Sequence, residues 1–356
     1  MKHATNHTQA RWQQAKRTPM KRLILGITTL LIISCNEKPK EEFSLIGTTN
    51  DIENGTVLYL DNKEVLIDSV LIENNSFSFN TKLTKAPLQV VLRTKNFSHY
   101  RFLWLENNPM TFDATKSDFR NAIVNGSIEE NLSQTLSKET ESLPRDEQLK
   151  KDMEFVSKNS NSVHSAYILS VYSTTWGKEK SKELFDKFSL ENKNSEYGKS
   201  ISKYIVLNKN PKIGERYADF EMENTEGKIE KLSDFNNKIV LLEFWSSNCG
   251  PCRKENPNLV KTYEEYNPKG FEIFAVSQDI KKESWLKAIE KDKLPWNQVS
   301  DLKGHDNSAS LIYGINGIPD NFLIDRNGII IARNLRGEEL NKKLEEIMPV
   351  ANTVYN

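Results

Sequence analysis

The stretch Val240-Leu241-Leu242-Glu243-Phe244-Trp245-Ser246-Ser247-Asn248-Cys249-Gly250-Pro251-Cys252 decides the fold. Its first six residues are an apolar run broken once, by Glu243, and they read as a strand buried on both faces. Gly250-Pro251 fits the tight first turn of a helix, because a proline near a helix start loses no N–H that the helix needs. A buried strand that runs into a spaced cysteine pair, with a helix behind it, is the setting of a redox dithiol.

The other uses of such a pair find no support. Zinc takes four ligands, and the third cysteine is Cys35, far upstream. The five histidines, His3, His7, His99, His164 and His305, are scattered singly. Haem attachment needs a histidine directly after the second cysteine, and Arg253 stands there. Thiolate is the attacking species, and the positive end of a helix dipole lowers the pKa of a cysteine placed at its N-terminus. Cys249 is therefore expected to be the exposed nucleophile. Cys252, one turn further, is expected to be buried and to resolve the mixed disulfide.

Downstream the expected order is strand (239–245), helix from Cys249, strand (271–276), helix (282–291), a stretch at 296–299, a short helix near Tyr313, strand (322–325), strand (329–332), and a helix from Glu338. Asn327-Gly328 is a strong hairpin turn. A further strand pair surrounds Ala218-Asp219-Phe220 and Ile229-Glu230-Lys231-Leu232. Alternating strands and helices ending in a hairpin predict an α/β domain with helices on both faces of its sheet, over 211–352.

Upstream, 43–127 is β-like. Strand candidates are 56–60, the alternating Ser76-Phe77-Ser78-Phe79, 88–92 and 102–105, with turn signals at Asn54-Gly55 and Asn74-Asn75. A small antiparallel sandwich or barrel is expected. From 128 to 210 the pattern is helical, with four helices around Leu132/Leu136, Ala166/Leu169/Tyr172, Leu184/Phe188 and Ile201/Tyr204, then a linker at Asn208-Lys209-Asn210-Pro211. Aromatic stripes at that spacing are expected to be core.

The chain of 356 residues has zero formal net charge, but its first 34 residues hold six basic residues and no acidic one. The remainder is mildly acidic, which argues against nucleic-acid binding through phosphates. Lys21-Arg22 precede the apolar run 23–33, which is short for a membrane span and suits the core of a signal peptide. Leu31-Ile32-Ile33-Ser34-Cys35 is similar to a bacterial lipobox, so Cys35 is expected to carry lipid after removal of 1–34, with 35–42 as a tether. The polar residues before Met20 point to Met20 as the true start. A compartment outside the cytoplasmic membrane permits disulfides. Asn36, in place of the aspartate that retains some lipoproteins at the inner membrane, leans the expectation towards the outer one.

Phe244-Trp245-x-x-x-Cys249-Gly250-Pro251-Cys252 resembles the thioredoxin motif, and with Pro257 and the leader the chain resembles the TlpA/ResA-like tethered thiol-disulfide oxidoreductases over about 212–348. The β-rich segment resembles a domain of unknown function found before thioredoxin domains in Gram-negative lipoproteins. The resemblance implies a thioredoxin-like fold, no cofactor, disulfide-bearing protein substrates and a thiol-disulfide electron donor. Tyr313-Gly314-Ile315-Asn316-Gly317-Ile318-Pro319 matches the family's cis-proline loop, which implies a cis Pro319 facing the cysteines and an Ile318 backbone that pairs with substrate. Trp245, Gly250 and Pro251 complete the implied substrate surface. Glu243 matches a buried acid and becomes the candidate proton acceptor for Cys252, since burial raises a carboxyl pKa towards neutrality. Glu255 matches an acid that tunes the redox pair; a solvated surface glutamate is the alternative. Asn248 departs from the tryptophan usual before the first cysteine.

Two rival functions differ in kind. A peroxidase of the peroxiredoxin type expects proline and threonine before its cysteine, and 243–248 supplies neither. A binding or sensing lipoprotein would act through its β domain.

Overall fold

The computed structural model describes residues 42–348 apart from Glu64. The leader at 1–34, Cys35 and the tether up to its last residue lie outside the described residues. Strands β1 (Ser44–Thr49), β2 (Val57–Asn62), β3 (Val65–Leu71), β4 (Ser76–Phe79), β5 (Leu88–Thr94), β6 (Tyr100–Leu105), β7 (Pro109–Ala114) and β8 (Ile123–Asn125) form two sheets. Their orders are β4-β1-β7-β8 and β3-β2-β5-β6. Phe79 and Phe112 of the first sheet share one core with Leu60, Val90 and Leu103 of the second, so the sheets form a sandwich. The ladders are antiparallel except β1–β7, which is parallel in register from Ser44/Pro109 to Thr49/Ala114. That pair is formed by segments some sixty residues apart, so no local turn signal announces it.

Helices α1 (Ile128–Thr140), α2 (Arg145–Lys158), α3 (Val163–Trp176), α4 (Lys178–Asp186), α5 (Leu190–Asn194) and α6 (Glu196–Leu207) follow. Sequence periodicity predicts four helices here; α2 and α5 are the additions. Most of α2 is charged and Val156 is its one fully buried residue, so it carries little periodic signal. Leu136, Ala166, Leu169, Leu184 and Ile201 build the core of this layer.

The C-terminal domain adds β9 (Glu221–Glu223), β10 (Ile229–Lys231), β11 (Ile239–Trp245), α7 (Gly250–Tyr266), β12 (Phe271–Ser277), α8 (Lys282–Asp292), β13 (Asn297–Val299), α9 (Ser308–Tyr313), β14 (Asp320–Ile324), β15 (Ile330–Arg333) and α10 (Glu338–Ile347). Its main sheet runs β13-β12-β11-β14-β15, with β11 parallel to β12 and antiparallel to β14. Every residue of β11 is buried. Leu241 and Trp245 join α7, α8 and α10 in one core, while Val240, Leu242 and Phe244 join α9 and the β9–β10 region in another. Two covered faces explain why β11 reads as a near-continuous apolar run. The same alternation puts Glu243 on the face that α7 covers. The β9–β10 hairpin lies about three residues further along on its first arm than composition predicts, since β9 begins at Glu221.

Candidate active site

Cys249 occupies the N-cap position of α7, and its Sγ accepts the Cys252 backbone N–H at 3.2 Å. Asp, Asn, Ser or Thr commonly fill this position because their oxygen satisfies an orphan N–H; here sulfur does so, and the same donors and helix dipole favour a thiolate. The two cysteines are disulfide-bonded, with Cα atoms 5.3 Å apart. Cys249 is 9% exposed and Cys252 is 1% exposed. The outer sulfur is thus more enclosed than the sequence predicts, because it is bonded to Cys252 and packs in the α7-side core. It is still the more reachable of the two.

Gly250 and Pro251 are exposed beside it. A Cβ on Gly250 would meet no atom of the described residues, so their packing does not require glycine there. The Ile318–Pro319 peptide bond is cis. Ile318 is half-buried and packs against both cores. Among the described residues, no hydrogen bond engages its backbone N–H or C=O.

Trp245 does not belong to this surface. It is 1% exposed and its Nε1–H donates to Gln298 Oε1 at 3.0 Å. Its inward place on a strand covered on both faces makes it core, which corrects the substrate-contacting role implied by resemblance.

Glu243 is 4% exposed, and its Oε2 lacks a hydrogen-bond partner among the described residues. Burial raises its pKa to about 8; Asn321 and Arg336 oppose the rise, while Glu255 and Asp320 add to it. At neutral pH it therefore holds a proton in this disulfide state. Glu255 is not a freely solvated surface group. Its Oε1 accepts the Gly337 backbone N–H at 2.8 Å and Asn258 Nδ2 at 2.9 Å, tying α7 to the start of α10.

Three supports were not foreseen. Asp279, buried after β12, accepts the Ser247 N–H at 2.9 Å and Ser247 Oγ at 2.5 Å, and so holds the loop that delivers Cys249. Arg253 donates to the Ser247 carbonyl at 2.9 Å and is ion-paired with Asp292. Gln298 orients Trp245. An acid two residues past the end of the apolar β12 run was the available signal for Asp279; the pairings of Arg253 and Gln298 span too much chain to be read locally.

Comparison with known proteins places this geometry. Residues 213–333 match the AhpC/TSA family, and 43–132 match a domain of unknown function. Thiol-disulfide oxidoreductase ResA of Bacillus thuringiensis is 32% identical over 145 residues, covering 41% of this chain and 82% of the relative. ResA of Geobacillus thermodenitrificans is 34% identical over 140 residues, covering 38% and 79%. A solved thiol-disulfide oxidoreductase from Bacteroides fragilis is 36% identical, covering 37% of this chain and 99% of its own, with a TM-score of 0.36. The chain belongs to the family of thiol-disulfide oxidoreductases that includes the ResA proteins.

Proposed function

We propose that the protein reduces disulfides of protein substrates through Cys249 and Cys252, facing the periplasm on a lipid anchor at Cys35. The observation that carries this reading is the sulfur of Cys249 at the helix N-terminus, in a core that Ile318 packs against with a backbone that makes no hydrogen bond among the described residues. In the reduced protein, Cys249 thiolate attacks one sulfur of the substrate disulfide, forms a mixed disulfide and releases the other sulfur as thiolate. Cys252 then loses its proton to the ionised fraction of Glu243, which grows as pH rises towards its pKa of about 8, and attacks Cys249 Sγ. The substrate leaves with both sulfurs reduced, having gained two electrons, and Cys249–Cys252 is left oxidised as in this structure. A thiol-disulfide donor resets it by the reverse sequence, in which protonated Glu243 returns the proton to the departing Cys252 sulfur. Ile318 backbone aligns the substrate strand, with Gly250, Pro251 and Pro319 around it. Glu255 acts through position, fixing α7 against α10. The basic leader and lipobox-like segment support the anchor, and Asn36 supports the outer membrane.

The test is capture in cells. Cys252→Ser is expected to hold substrates as mixed disulfides that Cys249→Ser does not form. Equal capture by both variants, or by neither, contradicts the reading.

A further inference from the structure

A cleft of about 690 Å³ lies between the helical layer and the C-terminal domain. That is within the range of ligand clefts, about 300–1,000 Å³. One wall is α3, with Val171, Tyr172 and Thr175; the other carries Gln278, Ile280 and Gly317. Ile315, Asn316 and Gly317 line the cleft and lead directly into Ile318 and the cis Pro319, so the loop of the proposed strand-pairing site forms part of this wall. Val171 and Ile280 are large apolar residues left 48% and 61% exposed.

Two further features point to an occupant. Gly317 adopts no positive φ, and a Cβ there would meet no atom of the described residues. Nothing within the fold demands glycine; a bare backbone suits close approach by another chain. The walls are also fixed against each other. Ser200 Oγ donates to Asp306 Oδ1 at 2.6 Å, Lys203 Nζ to the Asp306 carbonyl at 2.6 Å, and Asn208 Nδ2 to the Leu311 carbonyl at 2.8 Å. Lys63 pairs with Glu196 at the edge. Arg145 stacks over the Tyr172 ring at 5.1 Å, and Asp152 feels its charge. Lys63, Arg145 and Lys303 line the cleft against the carboxylates of Glu196 and Asp306, so its charged lining has a small positive excess.

We propose that this cleft holds the substrate polypeptide beside its half-cystine: an extended segment with an apolar side chain next to the cysteine and an acidic one further out. The proposal rests on the oxidoreductase reading above. The helical layer then acts as a selectivity wall for the redox site.

The test uses the reduced full-length chain and two kinds of disulfide. One is hydroxyethyl disulfide, too small to reach α3. The other is the symmetric disulfide of a short peptide with Leu beside its cysteine and Glu three residues away, or Lys in place of that Glu. Val171→Glu is expected to lower the ratio of peptide to small-disulfide kcat/KM about tenfold, the equivalent of about 1.4 kcal/mol. Lys303→Glu is expected to reverse the preference for the Glu peptide over the Lys peptide. Matched melting temperatures confirm that both surface variants fold. A ratio within about twofold of the parent in Val171→Glu, or an unchanged peptide preference in Lys303→Glu, overturns the cleft while the oxidoreductase reading stands. No exchange by the parent with either disulfide overturns both.

Discussion

Glu243 faces Asn321 across the β11–β14 ladder, while Asn321 clasps Leu335 through both ends of its amide, at 2.8 and 3.0 Å. One carboxyl oxygen of Glu243 is left buried without a partner among the described residues. Its pKa, raised from 4.5 to about 8, links stability to pH. Between those values the folded protein binds a proton that the unfolded chain has released, so stability falls as pH rises through the window. The full effect is on the order of 5 kcal/mol. Denaturant titrations of the oxidised protein are expected to show this contribution falling from pH 4.5 to about 8, and Glu243→Gln is expected to remove it.

His164 acts in the opposite sense. It lies at the junction of sandwich and helical layer, where its Nδ1 accepts the Trp104 Nε1–H at 3.1 Å, and burial lowers its pKa from 6.5 to about 4. The unfolded chain takes up a proton first as pH falls, so about 3 kcal/mol is lost from 6.5 down through 4. Between 4.5 and 6.5 the Glu243 and His164 slopes cancel, and a stability plateau is expected there. His164→Gln is expected to tilt that plateau so that stability rises towards its acid end.

The elements that build the redox end were legible because each has a local cause. β11 is apolar throughout save Glu243, Pro251 marks a helix start, and Asn327-Gly328 marks the β14–β15 turn. Alternation alone put Glu243 on the same face as Leu241 and Trp245. What escaped depends on distant chain. The parallel β1–β7 ladder pairs distant segments, α2 is too polar to show a stripe, and Asp279 reaches Ser247 from the loop after β12. Trp245 was misplaced for a related reason: its motif position carries a surface implication, whereas its burial follows from the strands and helices around it.

Trp245→Phe is accordingly a stability variant. It removes the hydrogen bond to buried Gln298 and leaves that amide unpaired, at a cost of about 1–2 kcal/mol. Substrate KM is expected to stay at the parent value. A raised KM with unchanged stability would return Trp245 to the substrate surface.

Asp279→Ala removes the charged acceptor of both Ser247 groups and of Ser277 Oγ. Loss of about 2 kcal/mol is expected, together with slower reaction of Cys249 with a small alkylating agent once the loop is released. Ser247→Ala removes only the hydroxyl bond and is expected to show a smaller loss of both.

The most direct measurement is a redox titration of the full-length chain against defined thiol-disulfide buffers, read by alkylation and mass. The account predicts that Cys249 and Cys252 titrate together as one two-electron couple, with a midpoint near or below about −230 mV, where dithiol reductants lie. A midpoint near about −120 mV, the range of strong oxidants, would contradict the reducing direction, and two cysteines that fail to titrate as a pair would contradict the site itself.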